Sequence, residues 1–344
     1  MAINKNMESV QEVERQLAKE VKHSRKSERI TPIQLIEQNV QEYIVGQDVA
    51  IRRILTAIYR SLYFKSIKSN ILVIGSSGVG KTETLKQIAK RLNIPYTEED
   101  ATKYTQEGYY GKSVEDMLIN LIVASQYDLQ KAQKGMIIID EIDKKTGDEK
   151  GVSGAKVLKS LLKIIEGTKY KLDDCIFDTS QLIIVFCGAF DGLEKIRDKR
   201  LGQGQIGFRQ YENKATLQNR FTKQDLVQYG MPEEFVGRID TIVEMNKLQK
   251  EDLVQILKKS RLSIFKRYQR ELRNMGISLR YNPKLLELIA GRSLHLDTGA
   301  RELSNTVNYI FEDIIYNVMA NPESYSECRL FVEIVDDNTR YKLS

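Results

Sequence analysis

Apolar positions along this chain follow three successive patterns, which predict three stretches of different build. Residues 1–40 are polar, with Val10, Val13, Leu17 and Val21 forming a thin apolar stripe at helical spacing. The charged run from Lys22 to Arg29 reads as a connector. Thr31-Pro32 then predicts the start of a second helix, with Thr31 as N-cap and Pro32 at the first helical position, where an N–H is not needed. A helical N-terminal extension over residues 1–40 is the expectation.

Over residues 41–246 short apolar runs alternate with amphipathic segments. Ile71–Ile74, Met136–Ile139 and Leu182–Phe186 are rich in β-branched residues and carry no polar position, as strands buried on both faces of a parallel sheet require. Between them Leu85, Ile88, Ala89 and Leu92 fall at i, i+3, i+4 and i+7, and Val114, Met117, Leu118 and Leu121 repeat that spacing. Val157, Leu158, Leu161, Leu162 and Ile165 continue it, with Gly167 where a helix C-cap belongs. Strands alternating with helices predict an α/β domain with a doubly wound, mainly parallel sheet. From residue 247 to 344 helical spacing dominates, and Leu330–Val335 adds one strand-like run; a separate, smaller and mainly helical domain is expected there.

Composition narrows the class. No apolar run approaches the ~18 residues of a membrane span, and Met1–Val10 has no apolar segment of a secretory leader. Cys175, Cys187 and Cys328 are far apart, and His23 and His295 are isolated, so neither a zinc site nor a disulfide framework is expected. A reduced, cytoplasmic setting fits. The net charge is +6, and the densest basic stretch, Lys258–Arg273, keeps Leu257, Leu262, Phe265, Tyr268 and Leu272 at roughly helical spacing. Its charges therefore belong to the outer face of a helix, and no aromatic and basic interleaving points to nucleic acid.

The chemistry is carried by two motifs. Gly75-Ser76-Ser77-Gly78-Val79-Gly80-Lys81-Thr82 satisfies G-x-x-x-x-G-K-[ST] between a buried strand and an amphipathic helix. Glycines let backbone N–H groups wrap a phosphate at a helix N-terminus. Lys81 would meet the outer phosphates of ATP, and Thr82 would hold Mg²⁺. About 60 residues later, Met136-Ile-Ile-Ile-Asp140-Glu141 brings two carboxylates to a strand's C-terminal edge. Asp140 can orient Mg²⁺ and Glu141 can polarise an attacking water, which favours hydrolysis over a passive nucleotide switch.

With these motifs in order, residues from about Tyr43 to Met319 resemble the AAA+ unfoldases of the ClpX type and, more distantly, HslU. Ile44-Val45-Gly46-Gln47 is similar to the family's adenine-side box, and Gly108-Tyr109-Tyr110-Gly111 to the aromatic pore loop that grips substrate. The stretch from Gly151–Gly154 through Glu166–Thr168 also resembles ClpX. Glu234-Phe235-Val236-Gly237-Arg238 resembles the box of the arginine finger, and Thr298-Gly299-Ala300-Arg301 resembles sensor 2. Ile206-Gly207-Phe208 is similar to the tripeptide that docks such rings onto ClpP-type peptidases.

The resemblance implies an AAA+ large domain followed by a small helical one, assembled as a homohexamer that couples ATP hydrolysis to unfolding of unfolded or tagged protein substrates. It implies catalytic roles for Lys81, Asp140, Glu141, Arg238 and Arg301. The nucleotide-binding set is Val45, Gly46, Gln47, Gly75, Ser76, Ser77, Gly78, Val79, Gly80, Lys81, Thr82, Glu83 and Arg301. The zinc-ligating cysteines of ClpX have no counterpart here, the segment Lys169–Phe177 is shorter and lacks an Arg-Lys-His loop, and HslU's inserted helical domain is missing. Two alternatives therefore stand beside the peptidase-linked unfoldase. One is a remodelling ATPase without a peptidase; the other is a nucleic-acid motor, which the aromatic rather than basic loop at 108–111 disfavours.

Overall fold

The computed structural model describes residues 31–64, 68–104, 112–146, 152–172, 175–202, 219–294, 299–325, 328–335 and 338–343. The stripe Val10–Val21 and the run Lys22–Arg29 lie outside these. Two compact units emerge. The first gathers the described residues up to Val40 with Val49–Gly75 and Lys81–Met245. Gln41–Asp48, Ser76–Gly80 and the described residues from Asn246 onward make up the second.

A five-stranded sheet organises the first unit. Its strands are β1 (Asn70–Ile74), β2 (Tyr96–Asp100), β3 (Met136–Asp140), β4 (Ile183–Gly188) and β5 (Thr241–Glu244), in the order β2-β3-β4-β1-β5. All neighbours are parallel. β1 and β4 are buried at every position and β3 at all but Asp140, which is why their sequences lack alternation. The edge strands read differently: β2 buries only Thr97 and Glu99, and β5 only Val243.

Helices cover the sheet: α1 (Pro32–Gln41), α2 (Asp48–Tyr63), α3 (Lys81–Arg91), α4 (Val114–Ala124) and α5 (Val152–Glu166). At the start of α1, Gln34 Oε1 accepts from both the N–H and the hydroxyl of Thr31. Ser113 and Asp116 close a capping box that fixes where α4 begins. α6 (Leu193–Arg200), α7 (Lys223–Tyr229) and α8 (Glu233–Gly237) lead the chain from β4 to β5. Leu118, Leu121, Leu158, Leu161, Phe186 and Phe235 are among the side chains of the buried core of this unit.

In the second unit α9 (Lys250–Lys258), α10 (Ile264–Asn274), α11 (Lys284–Leu294) and α12 (Ala300–Ala320) pack around Phe265, Leu272, Ile289, Val307 and Phe311. Phe265 meets Phe311 edge-on at 5.7 Å, and Tyr268 stacks on Phe311 at 4.7 Å. On α10 Lys266, Arg267, Arg270 and Arg273 are exposed opposite buried Phe265 and Leu272, so this part of the basic stretch forms a helix's outer face. The stretch is not one helix, however: Lys258 ends α9, Lys259 and Arg261 lie in the connection, and Leu262 is exposed there. The strand expected at Leu330–Val335 is real but not alone. Strands β6 (Ser278–Tyr281), β7 (Arg329–Val335) and β8 (Asn338–Leu343) make a three-stranded sheet in the order β8-β7-β6. Among the described residues no helix is long and apolar enough to cross a membrane.

One half-buried cation fastens the end of α5. Lys68 Nζ donates to the carbonyls of Ile164 (2.8 Å) and Thr179 (2.9 Å), at the negative end of the helix dipole. Burial lowers its pKa from 10.5 to about 8, with Asp178 and Asp240 working in the opposite direction. A folded pKa below the unfolded one means that charging Lys68 opposes folding. This penalty is complete below about 8 and fades as pH rises toward 10.5. Denaturant unfolding of wild type and Lys68→Met, compared at a series of pH values across that window, should show wild type gaining stability relative to the variant as pH rises; a flat difference would contradict the assignment.

Candidate active site

Parallel strands bring their C-terminal ends to one edge of a sheet, and here β4 lies between β1 and β3. The loop leaving β1 and the acids ending β3 are thus two strand spacings apart, about 10 Å. The turn after β1 closes this distance. Gly75 N donates to Gly188 O (3.2 Å), extending the β1–β4 ladder by one bond. Gly78 and Gly80 adopt φ of +76° and +94°, a conformation in which a side chain would be strained, and the chain turns directly into α3.

At the head of α3 the Thr82 hydroxyl donates to Asp140 Oδ2 at 2.6 Å, while Lys81 Nζ donates to the carbonyl of Gly75 at 2.6 Å. Glu83, one residue on, accepts from Gln87 Nε2 at 2.5 Å. Thr82 and Asp140 present adjacent hard oxygens, the donor set that suits Mg²⁺, and Lys81 adds a positive charge at a glycine-lined turn. These residues fit a nucleotide phosphate with its metal ion.

Glu141 is exposed and left-handed, with φ of +58°, and its N–H donates to Asp140 Oδ1 at 2.9 Å. A non-glycine residue there is strained, which turns its carboxylate away from the line of β3. Asp143, two residues on, is buried, and its Oδ2 accepts from Phe190 N at 3.1 Å. Phe190 is itself left-handed, with φ of +54°. Among the described residues Asp143 Oδ1 has no hydrogen-bond partner. Sequence reasoning passed over Asp143, because an acid just after Asp-Glu reads as one more exposed charge. Beside this edge Cys187, the penultimate residue of β4, is fully buried, and burial, reinforced by the charge of Asp140, pushes its thiol well above the ordinary range.

Further expected residues gather within the second unit. Gln47 is fully buried, its amide donating to Asn246 O and accepting from Asn246 N, both at 2.8 Å, with a longer contact to Val79 O at 3.5 Å. Its side chain serves as a surrogate backbone for Asn246. Asn246 Nδ2 donates to the carbonyl of Gly46, and Val45 is half-buried alongside. Arg301 Nη1 lies 3.4 Å from the Ser77 hydroxyl, and Ala300 N donates to Gly78 O at 3.0 Å. Ser76 is half-buried and Val79 buried.

Arg238 follows α8 and pairs with Glu166 at 2.5 Å, in the first unit. Glu166 is the last residue of α5, where a carboxylate opposes the helix dipole, so the pair accounts for an otherwise unfavourable charge. Gly108, Tyr109, Tyr110, Gly111, Ile206, Gly207, Phe208 and Thr298 lie outside the described residues.

Comparison with known proteins extends this geometry. Residues 66–242 match the AAA domain (Cdc48 subfamily), and residues 248–330 match the C-terminal, D2-small domain, of ClpB protein. The chain is 34% identical over 327 residues to the ATP-dependent Clp protease ATP-binding subunit ClpX of Borrelia duttonii, covering 85% of this chain and 76% of that one. It is 35% identical over 318 residues to ClpX 2 of Wolinella succinogenes, covering 84% and 78%. With ClpX of Treponema denticola the identity is 33% over 318 residues, covering 82% and 76%.

The end of β4 has no room for a side chain. A Cβ on Gly188 would stand 2.6 Å from both Asp143 Oδ1 and the Phe190 ring. Gly188→Ala is therefore expected to lower stability by about 1–3 kcal/mol, the usual cost of overpacking. Turnover of ATP should fall more than its binding, since the displaced Asp143 lies in the turn that carries Glu141. Thermal unfolding with ATPase and nucleotide-binding assays checks both; unchanged stability and turnover would refute the tight fit.

Proposed function

The chain belongs to the ClpX family of AAA+ ATPases, and on that premise we propose that it is an ATP-driven protein unfoldase working as a homohexameric ring with a ClpP-type peptidase. The observation that carries this is the Thr82–Asp140 bond, which joins the glycine-rich loop to the acidic strand end. The likeness to subunits named for an ATP-dependent Clp protease runs through both units, which supports the peptidase link.

Each residue then has a task. Lys81 and the loop N–H groups hold the outer phosphates, and Thr82 with Asp140 would hold Mg²⁺. The bound metal supplies positive charge to the phosphate oxygens. Glu141 takes a proton from the attacking water, its exposed carboxylate standing one residue beyond Asp140. Arg301, beside Ser77, senses the nucleotide in its own chain. Arg238 acts on the nucleotide of a neighbouring subunit, a contribution worth about 10³-fold or more where arginine fingers have been measured. Tyr109 and Tyr110 offer aromatic area that grips a polypeptide of any sequence. Ile206 and Phe208 enter the peptidase's apolar clefts, each burial contributing about 1.5–3 kcal/mol, and six copies on one ring add avidity. Free Cys175, Cys187 and Cys328 agree with a reducing, cytoplasmic setting.

Mixing decides whether Arg238 works across subunits. Rings made only of Glu141→Gln or only of Arg238→Ala should bind ATP and hydrolyse little. Mixed rings should recover measurable turnover, because an Arg238→Ala subunit keeps its own Glu141 and receives an intact finger from a neighbour. A mixture as inactive as its parts would place the finger in its own site.

The peptidase link has a separate test. Phe208→Ala should abolish ATP-dependent proteolysis with the cognate peptidase while ATP turnover stays near wild type. Proteolysis untouched by Phe208→Ala would instead favour the remodelling ATPase that works alone.

A further inference from the structure

The ends of β2 and β3 are neighbours, with Glu99 opposite Ile139 and Asp100 opposite Asp140. From this common edge the chain leaves twice. After β3 it passes Glu141 into the 3₁₀ stretch Ile142–Lys145. After β2 it passes through the 3₁₀ stretch Ala101–Lys103 to Tyr104, immediately before residues 105–111. The two exits meet again at one side chain. Lys145 Nζ donates to the carbonyls of Tyr104 (3.2 Å) and Thr102 (3.4 Å).

Both partners of that contact are themselves held. Tyr104 is fully buried, and its hydroxyl donates to the carboxylate of Glu99, which also accepts from Asn120 Nδ2 at 2.8 Å. Tyr104 pairs with Lys112 in a β-bridge, and Lys112 N donates to Lys103 O at 3.1 Å, so the two flanks of 105–111 are tied to each other. On the other side Gly154, in the first turn of α5, sits so close that a Cβ there would be 2.5 Å from Lys145 O. Among the described residues no carboxylate pairs with Lys145. Among those residues its ammonium is directed at backbone carbonyls, an arrangement that fixes position.

We propose that Lys145 is a positioning residue that couples the hydrolytic edge to the anchor of the aromatic loop. It stands four residues after Glu141, whose left-handed backbone is the strained point of the turn. A change at Glu141 moves a short, hydrogen-bonded 3₁₀ stretch, and Lys145 passes the movement to Thr102 and Tyr104. This rests on the reading of residues 108–111 as the substrate-gripping loop, but the link itself is measurable without a substrate.

Hydrogen exchange provides the measurement, on a Glu141→Gln background that retains ATP. Adding ATP should change exchange at 75–82 and at 99–104 together. With Lys145→Met the change at 99–104 should be lost while that at 75–82 persists, and Lys145→Arg, which can reach the same carbonyls, should restore it. In the otherwise wild-type protein Lys145→Met should keep ATP turnover yet consume more ATP per substrate molecule degraded. Three results overturn the proposal: an ATP response at 99–104 that survives Lys145→Met, no response there in the parent, or exchange rising throughout α5, which would make Lys145 only a structural prop. Failure of the unfoldase reading would look different, as absence of ATP-dependent proteolysis in the wild type whatever the exchange data show.

Discussion

Everything at the catalytic edge depends on β1 being an interior, fully buried strand of the sheet. It is hydrogen-bonded to β4 on one side and β5 on the other, and all five of its residues are buried. A strand so enclosed can release the chain only at its end, so the turn at Gly75 emerges in the interior of the sheet's edge, not at its border. Parallel pairing then puts the end of β3 at the same level, and the Thr82 hydroxyl spans the width of β4 to reach Asp140. Had β1 been an edge strand, the same motif would have met solvent on one side.

Two strained backbone positions stand at that edge. Glu141 and Phe190 are both left-handed although neither is glycine, and Asp143 lies between them, bonded to Phe190 and covalently two residues from Glu141. Conformations of this kind persist only where their surroundings over-determine them. Here the surroundings are a buried carboxylate and a glycine, Gly188, that leaves it room. The arrangement aims Glu141 outward while the preceding carboxylate points at Thr82, two directions that a regular strand end would not give to consecutive residues.

How much of this was legible in the sequence follows from what each residue is packed against. β1, β3 and β4 announced themselves as unbroken apolar runs because both their faces are covered. β2 did not, since Tyr96–Asp100 carries three acids, and Glu99 is buried only because Tyr104 and Asn120 satisfy its carboxylate. β5 is short and half-buried, and Ser278–Tyr281 and Asn338–Leu343 gain strand character from the partner β7 rather than from their own composition. Lys81, Thr82, Asp140 and Glu141 were legible because their spacing is dictated by the phosphate they face. Asp143, Lys145, Glu166 and Gly188 were not, because each acts on a neighbour distant in sequence. No local pattern distinguishes Lys145 beside two carbonyls from Lys144 in solvent. Gln47 stands between the cases: its motif marks the position, while the fold shows its amide committed to Asn246.

The thiol near the end of β4 gives this edge a further property. Oxidants and alkylating agents react with thiolate, and they need access. Cys187 offers neither, being enclosed and held protonated by burial next to Asp140. Cys175 and Cys328 are partly open to solvent and stand on other elements. A peroxide or maleimide that reaches the folded chain thus finds its targets in Cys175 and Cys328 and not in the thiol beside Asp140, so the catalytic edge itself offers such reagents no reactive sulfur.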